Sequence, residues 1–320
     1  MELKDKKIVV TGGGGFLGGF IVAGLKKRGV PGGYIHIPRT KDGIDFRRQE
    51  DCEKYFAKTK PDVVIHCAAN QGGIGYHSGR QADLMMDNIR MGFFLMEAAR
   101  AAGVSKFVNI VAGCSYPGYL EKDELQEENY WDGPLHESIF SYGFSRKASV
   151  VYSLALKKQF GFNSINLLLA NMFGPGEHFN PGQSKALAGL IRKFYEAKRD
   201  NAPSVVVWGT GKPVRDWLYV KDGAEGILRA TEVYDDVEPL NIASGIGISV
   251  SDLAHMIKDA VGYNGEIVYD TSRPDGALKK TFSIHHMKDK LNWIPTSPLK
   301  EAIRETVEWF RANYSHAVSH

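Results

Sequence analysis

The chain has 320 residues, with 40 lysines and arginines against 37 aspartates and glutamates, a formal net charge of +3. So small an excess excludes charge-driven binding of nucleic acid or of a membrane surface, and 43% hydrophobic with 24% charged residues is the make-up of a globular protein with a large core. Cys52, Cys67 and Cys114 are odd in number and show no C-x-x-C spacing, which argues against a disulfide framework and against a bound metal, so that a special cysteine here acts as a thiol.

The N-terminus, "MELKDKKIVVTG", has no apolar signal core, and no uncharged apolar run reaches 18 residues, so a cytoplasmic protein is expected. Short apolar runs then alternate with amphipathic stretches: "KIVVTG", a helix from about Phe16, "YIHIP", a helix near Arg47–Lys58, "DVVIHCA", a helix near Gln81–Ala102, and "KFVNIVA". A helix from Ser141 to Phe160 leads into a strand over 163–171, "NSINLLLAN". This rhythm predicts an α/β fold with a doubly wound parallel Rossmann-type sheet. The Gly/Pro-rich "FGPGEHFNPGQS" breaks the pattern, and a helix near Lys185–Lys198, the strand "SVVVWG" and a closing "LKEAIRETVEWFRANY" helix follow. We therefore expect residues 1–170 to form mainly the nucleotide-binding domain. Residues 171–320 should form mainly a smaller mixed α/β lobe with segments returning to the first, and the binding cleft should lie between them.

"VVTGGGGFLGG" places Gly12, Gly15 and Gly18 directly after the first strand, with Phe16 and Leu17 opening the helix. Small residues there let the backbone approach a diphosphate at a helix N-terminus, where unpaired N–H groups favour an anion. The second strand ends without the acidic residue that would hold a ribose 2′-hydroxyl, and Arg39 and Lys41 follow, which favours NADP(H) over NAD(H). By their strand-end positions, Asp45 and Ala68 in "CAAN" should adjoin the adenine and ribose.

"SYGFSRKA" sets Tyr142 and Arg146 four residues apart on one helical face. With the glycine motif, "AANQGGIG" (68–75), "CSYP" (114–117), "NMFGPGEHFNP" (171–181), "IRKFYEA" (191–197), "VVVWGTGKPVRDWLYVKD" (205–222) and "RPDGALKK" (273–280), the chain resembles the extended short-chain dehydrogenase/reductases, in particular the GDP-L-fucose synthase branch. That resemblance implies a GDP-4-keto-6-deoxy sugar that is epimerised beside its ketone and then reduced by NADPH. A ketone acidifies its neighbouring C–H bonds, so a base on one face and an acid on the other invert a carbon through an enolate, and a phenol protonates the C4 oxygen. The matching residues are Cys114 as base, Lys185 where the family usually has a histidine acid, and Tyr142 as the phenol. The resemblance also implies a homodimer through paired long helices.

Three departures stand out. Ala112 occupies the position of the family's Ser or Thr, Arg146 that of its lysine, and Lys185 that of its histidine. A lost hydrogen bond to the C4 oxygen costs about 1–3 kcal/mol in a dry site. Arg146 keeps a charge that depresses the Tyr142 pKa but cannot yield a proton, and Lys147 points about 100° away round the helix. Ser115 should face away from Ala112. A Cys/Lys pair also resembles GDP-mannose 3,5-epimerases, so the alternative is an epimerase or 4-dehydrogenase that holds its nicotinamide tightly and makes no net reduction. A second alternative is a degenerate nucleotide-sugar-binding protein.

Each residue also has a plain structural reading. Cys114 can be a buried small residue, Lys185 a surface residue at a helix start, and Tyr142 a core aromatic. His178, in "GEHF", is another candidate proton donor. For the GDP-sugar, Arg215 suits a diphosphate, Arg192 and Trp208 the guanosine pocket, and Asn171 the sugar or diphosphate, while Lys279 or Lys280 closes the site.

Overall fold

The computed structural model describes residues 1–319 other than Glu121 and Pro274, and the side chains of all of these except Ile74 and Ser78. Pro274 of the "RPDGALKK" motif therefore lies outside the described residues.

The first half builds one parallel sheet from β1 (Ile8–Thr11), β2 (Ile35–His36), β3 (Val63–His66), β4 (Lys106–Ala112) and β5 (Ser164–Leu169), crossed by α1 (Phe16–Lys27), α2 (Gln49–Thr59), α3 (Ile74–Ser78), α4 (Gln81–Ala101) and α5 (Phe140–Phe160). The second half contributes β6 (Asn171–Phe173), α6 (Ala186–Arg199), β7 (Ser204–Trp208), β8 (Val214–Tyr219), α7 (Val220–Val233), β9 (Leu240–Ile242), β10 (Gly247–Ser249), α8 (Val250–Val261), β11 (Glu266–Asp270), β12 (Lys279–Lys280), α9 (His285–Leu291), α10 (Leu299–Ala312) and α11 (Tyr314–Ser319). The main sheet runs β2-β1-β3-β4-β5-β9, so a strand from the second half completes it beyond β5. This is the doubly wound sheet that the alternation predicts.

Period-two alternation explains why both faces are covered. Ile8, Val10, Val63, Ile65 and Val108 face the core packed under α1 and α7, while Val9, Val64 and Phe107 face a second core with Phe56 of α2 and Leu95 and Met96 of α4. Strands apolar on both faces leave only their ends for chemistry, and the site lies at the carboxyl ends.

Two predicted strands differ from the structure. "YIHIP" shortens to Ile35–His36, paired only with Ile8 and Val9 at the sheet edge. The predicted strand 163–171 divides at Ala170, whose N–H donates to Ile242 O; Asn171–Phe173 then leaves the sheet and pairs with β8 in a separate sheet with β10 and β12. That crossing point carries the chain from the nucleotide end to the sugar end.

Candidate active site

At the nucleotide end the glycine loop is tight where it must be and open where a ligand must enter. Gly12 adopts φ +67°, and a Cβ on it would lie 3.0 Å from Ala68 N. A Cβ on Gly18 would overlap Gly12 O, whereas one on Gly14 would meet nothing within 4 Å. Gly15 precedes α1 with no side chain capping its N-terminus, and Phe16 and Leu17 form its first turn. This cradle fits a dinucleotide diphosphate. A cavity of about 600 Å³ opens there, walled by Gly14–Phe16, by Pro175–His178 and by Trp309 and His316 near the C-terminus. Ala68 N donates to Thr11 Oγ1, which also lies 2.8 Å from Nδ1 of the buried His66. Arg39 is half exposed and pairs with Asp42 at 2.8 Å, and Asp45 accepts from Arg47, which reaches on to Asp87.

At the chemical end Tyr142 and Arg146 lie buried on one face of α5, as their spacing requires. The Arg146 guanidinium donates to the Ile110 carbonyl of β4 rather than reaching out into the cleft. Burial pushes the Tyr142 phenol up to about 12; Arg146 draws it back, and the nearby Cys114 adds to the rise. His66 is driven down to about 3 by burial and by Arg146, and stays neutral. His77, which the sequence reading does not single out, meets the Tyr142 ring edge-on at 5.2 Å and feels the Lys185 charge.

Cys114 sits half-buried in the 3-10 turn Gly113–Ser115, just beyond β4. Burial raises its thiol pKa, and Lys280, Arg146 and Lys185, in that order, oppose the rise. Cys114, Tyr142, Arg146 and Lys185 are thus brought into one electrostatic neighbourhood. Lys185 is delivered by a clasp: Gly73 N donates to Gln183 O at 2.9 Å, and a Cβ on Gly73 would overlap Ser184 O. Lys185 then stands as the residue before α6. Its charge also acts on Glu177, whose carboxylate is buried with neither oxygen hydrogen-bonded and whose pKa burial raises to about 7. His178 lines the cavity wall with Glu177.

Several expectations need correction. Ser115 does not face away from Ala112: its Oγ donates to the Ala112 carbonyl at 2.7 Å and accepts from Tyr130 OH at 2.9 Å, because the 3-10 turn folds the chain back. Lys279 points outward into an ion pair with Asp123 at 2.7 Å, and Lys280 is the lysine turned toward Cys114. Lys193 of α6 lies over the Trp208 ring, at 5.2 Å, with Arg273 at 5.1 Å, while Arg192, expected with Trp208 at the guanosine pocket, pairs with Glu196 one turn along. Trp208 itself is 63% exposed. Arg215 is half-buried, donates to Val214 O and faces Asp275, and Asn171 donates its side-chain amide to Asp216 O at 3.3 Å. Lys147 donates to Tyr130 O and lies over the Tyr130 and Trp131 rings, so it does not replace Arg146.

Residues 8–243 match the model of the NAD dependent epimerase/dehydratase family. The chain belongs to that family. Among curated relatives it is 34% identical over 311 residues to a probable GDP-L-fucose synthase 1 of Oryza sativa subsp. japonica, covering 97% of this chain and 93% of that one. It is 33% identical to the GDP-L-fucose synthase of Sinorhizobium fredii over 97% of each chain. Among solved structures, a GDP-6-OMe-4-keto-L-xylo-heptose reductase from C. jejuni superposes with a TM-score of 0.90 at 27% identity, over 98% of this chain and 99% of that one. An NADP-bound GDP-L-fucose synthetase from Naegleria fowleri gives 0.87 at 29% identity, over 98% and 96%. No described helix is long and apolar enough to cross a membrane.

Proposed function

We propose that this chain is an NADPH-dependent epimerase/reductase acting on a GDP-linked 4-keto-6-deoxy sugar, hexose or heptose. The observation that carries the reading is how three separate segments meet beyond β4: a Cβ on Gly143, beside Tyr142, would lie 3.3 Å from Cys114 O, and the segment of His77, whose ring meets that of Tyr142, holds the 183–185 segment through Gly73 N to Gln183 O. NADPH bound in the glycine cradle supplies the hydride that reduces a ketone. Cys114 takes a proton from the carbon beside that ketone, Lys185 returns one on the opposite face, and Tyr142 protonates the oxygen. Arg146, held beneath Tyr142 by the Ile110 carbonyl, favours the phenolate left behind.

At the far end the exposed Trp208 offers an aromatic surface for a purine, with Lys193 and Arg273 at its ring as cations a guanosine would meet, and Arg215 suits the diphosphate. Exposed ion pairs such as Arg39 with Asp42 are worth little, so a 2′-phosphate competes readily for Arg39 and favours NADP(H); NAD(H) is the alternative cofactor. The reading includes a cytoplasmic homodimer joined through α4 and α5, where Met86, Phe140, Phe144 and Val151 are exposed.

The test is incubation with GDP-4-keto-6-deoxymannose and NADPH in D₂O, followed by mass spectrometry. Reduced product carrying carbon-bound deuterium is expected, and the absence of both deuterium uptake and reduction would sink the reading in favour of a nucleotide-sugar-binding protein. One observation favours a second reading, epimerisation without net reduction: Arg146 turns toward a backbone carbonyl and Ala112 offers no hydroxyl. Deuterium uptake without reduction would select it.

A further inference from the structure

The "KK" of "RPDGALKK" places two lysines on opposite faces of a two-residue strand. β12 pairs in parallel with β8, Lys279 opposite Val214 and Lys280 opposite Arg215. Strand alternation turns Lys279 outward to Asp123 and Lys280 inward. The chain stays extended beyond: Leu125 N donates to Thr281 O at 2.8 Å and Ser283 N to Leu125 O at 3.0 Å, with Phe282 bridged to Leu125 between them. Phe282, two residues after Lys280 and so on the same face, packs on the turn that carries Cys114. Its Cζ lies 2.5 Å from where a Gly113 Cβ would be, and its ring is 5.5 Å from that of Tyr116. The same face therefore delivers the Lys280 ammonium to Cys114.

We infer that Lys280 is the charge partner that favours the thiolate form of Cys114 against the effect of burial, a positioning residue for the carbon-acid step. The inference rests on the reading of Cys114 as the base. In the step, the Sγ–H bond breaks and its proton passes to solvent water while Lys280 keeps its ammonium charge; an O–H bond forms, sulfur keeps the electron pair, and nothing is oxidised or reduced. The thiolate then holds the pair with which it takes the substrate proton.

The surroundings support this role. Around Cys114 stand Lys280, Arg146, Lys185, Tyr130 and Tyr142. Around Lys280 stand Cys114, Arg215 and Lys147, and no carboxylate pairs with it among the described residues. Burial lowers its pKa to about 8, with Arg215 and Lys147 adding to the fall and Cys114 opposing it, so most of the population still carries the charge at neutral pH. Arg146 and Lys185 also favour the thiolate, but Arg146 is tied to Ile110 and Lys185 faces Glu177 as well.

The experiment measures the rate of Cys114 alkylation by iodoacetamide against pH in the full chain, read by mass spectrometry of the Cys114 peptide. It compares the parent with Lys280→Met and Lys280→Arg, with circular dichroism as the check on folding. Loss of the charge moves the thiol midpoint up by about one unit or more, so Lys280→Met slows alkylation about 10-fold at pH 7.5. Lys280→Arg, which keeps the charge, stays within about 2-fold of the parent. An unchanged curve in a folded Lys280→Met protein overturns the inference, and weaker GDP binding alongside that unchanged curve would make Lys280 a diphosphate ligand instead. If Lys280→Met does not fold, a Lys280→Arg protein that alkylates about 10-fold more slowly than the parent at pH 7.5 overturns it equally. A midpoint that rises in Lys280→Met, with no solvent-deuterium uptake by substrate in the parent, would refute Cys114 as the base while leaving the Lys280 charge effect intact.

Discussion

The two sides of the cleft are built differently. Tyr142 and Arg146 ride on α5, a 21-residue helix packed against α4, and Ala112 ends a strand paired along its length with β5. Cys114, Lys185 and Glu177, by contrast, sit in turns and loops; the first two are placed by contacts from elsewhere, Phe282 on Gly113 and Gly73 on Ser184, and Glu177 by its own turn, where its N–H donates to Gly174 O. On the proposed roles, the side for reduction is built on regular elements but chemically depleted, with an alanine where a hydroxyl would help and a guanidinium turned to the backbone. The side for proton traffic is built from turns and is rich in ionisable groups.

The largest effect is expected on the reduction side. Tyr142→Phe removes the proton donor for the C4 oxygen, and reduction should fall about 10²–10⁴-fold while solvent deuterium still enters the substrate. Equal loss of both would mean that the two sides share one rate-limiting group and would dissolve the contrast.

Glu177 marks the loop side energetically. Its carboxyl titrates near 7 instead of 4.5, so between those values the folded chain holds a proton that the unfolded chain has released. Stability therefore falls as pH rises through that window and stays lower above it, by roughly 3 kcal/mol if Glu177 acts alone. Glu177→Gln should make the protein more stable than the parent at pH 8 and leave it nearly equal at pH 5, as urea unfolding at the two pH values would show. Parallel pH dependences would mean that the carboxylate is hydrated in solution.

The same contrast explains what was legible beforehand. Tyr142 and Arg146 could be read because helical spacing alone puts them together, and the glycine loop because strand, turn and helix follow directly in sequence. Lys280 could not be separated from Lys279, since the phase of a two-residue strand is set by its pairing with β8, about sixty residues earlier in the chain. Lys193 and Arg192 differ by one helical step, and only the packing of α6 decides which of them lies over Trp208. Glu177 reads as one more polar loop residue until the 174–180 turn buries it, and His77 gains its meaning only from the Tyr142 ring.

Gly73→Ala tests whether the loop side depends on its clasp. The new Cβ would collide with Ser184 O, so the 183–185 segment must move and carry Lys185 with it. A displacement of about 1 Å at a reacting group costs on the order of 10²-fold. Deuterium uptake should fall by about that factor with reduction of an already epimerised ketone spared. Unchanged uptake would mean that Lys185 is not the acid.

Ala112→Ser asks whether the reduction side can be repaired. The nearby hydroxyls offer no substitute, since Ser115 spends its proton on the Ala112 carbonyl and Tyr130 its own on Ser115. Ala112 lies at the end of β4 with extended dihedrals that serine adopts freely, and its side chain is half-exposed. A serine there adds one donor for the C4 oxygen, and even the lower part of the 1–3 kcal/mol range speeds reduction by about 10-fold. Deuterium uptake should not change, because Cys114 and Lys280 do not depend on that hydroxyl. An unchanged reduction rate would place the ketone oxygen away from Ala112, and Tyr142 over the Arg146 charge would then be a sufficient donor by itself.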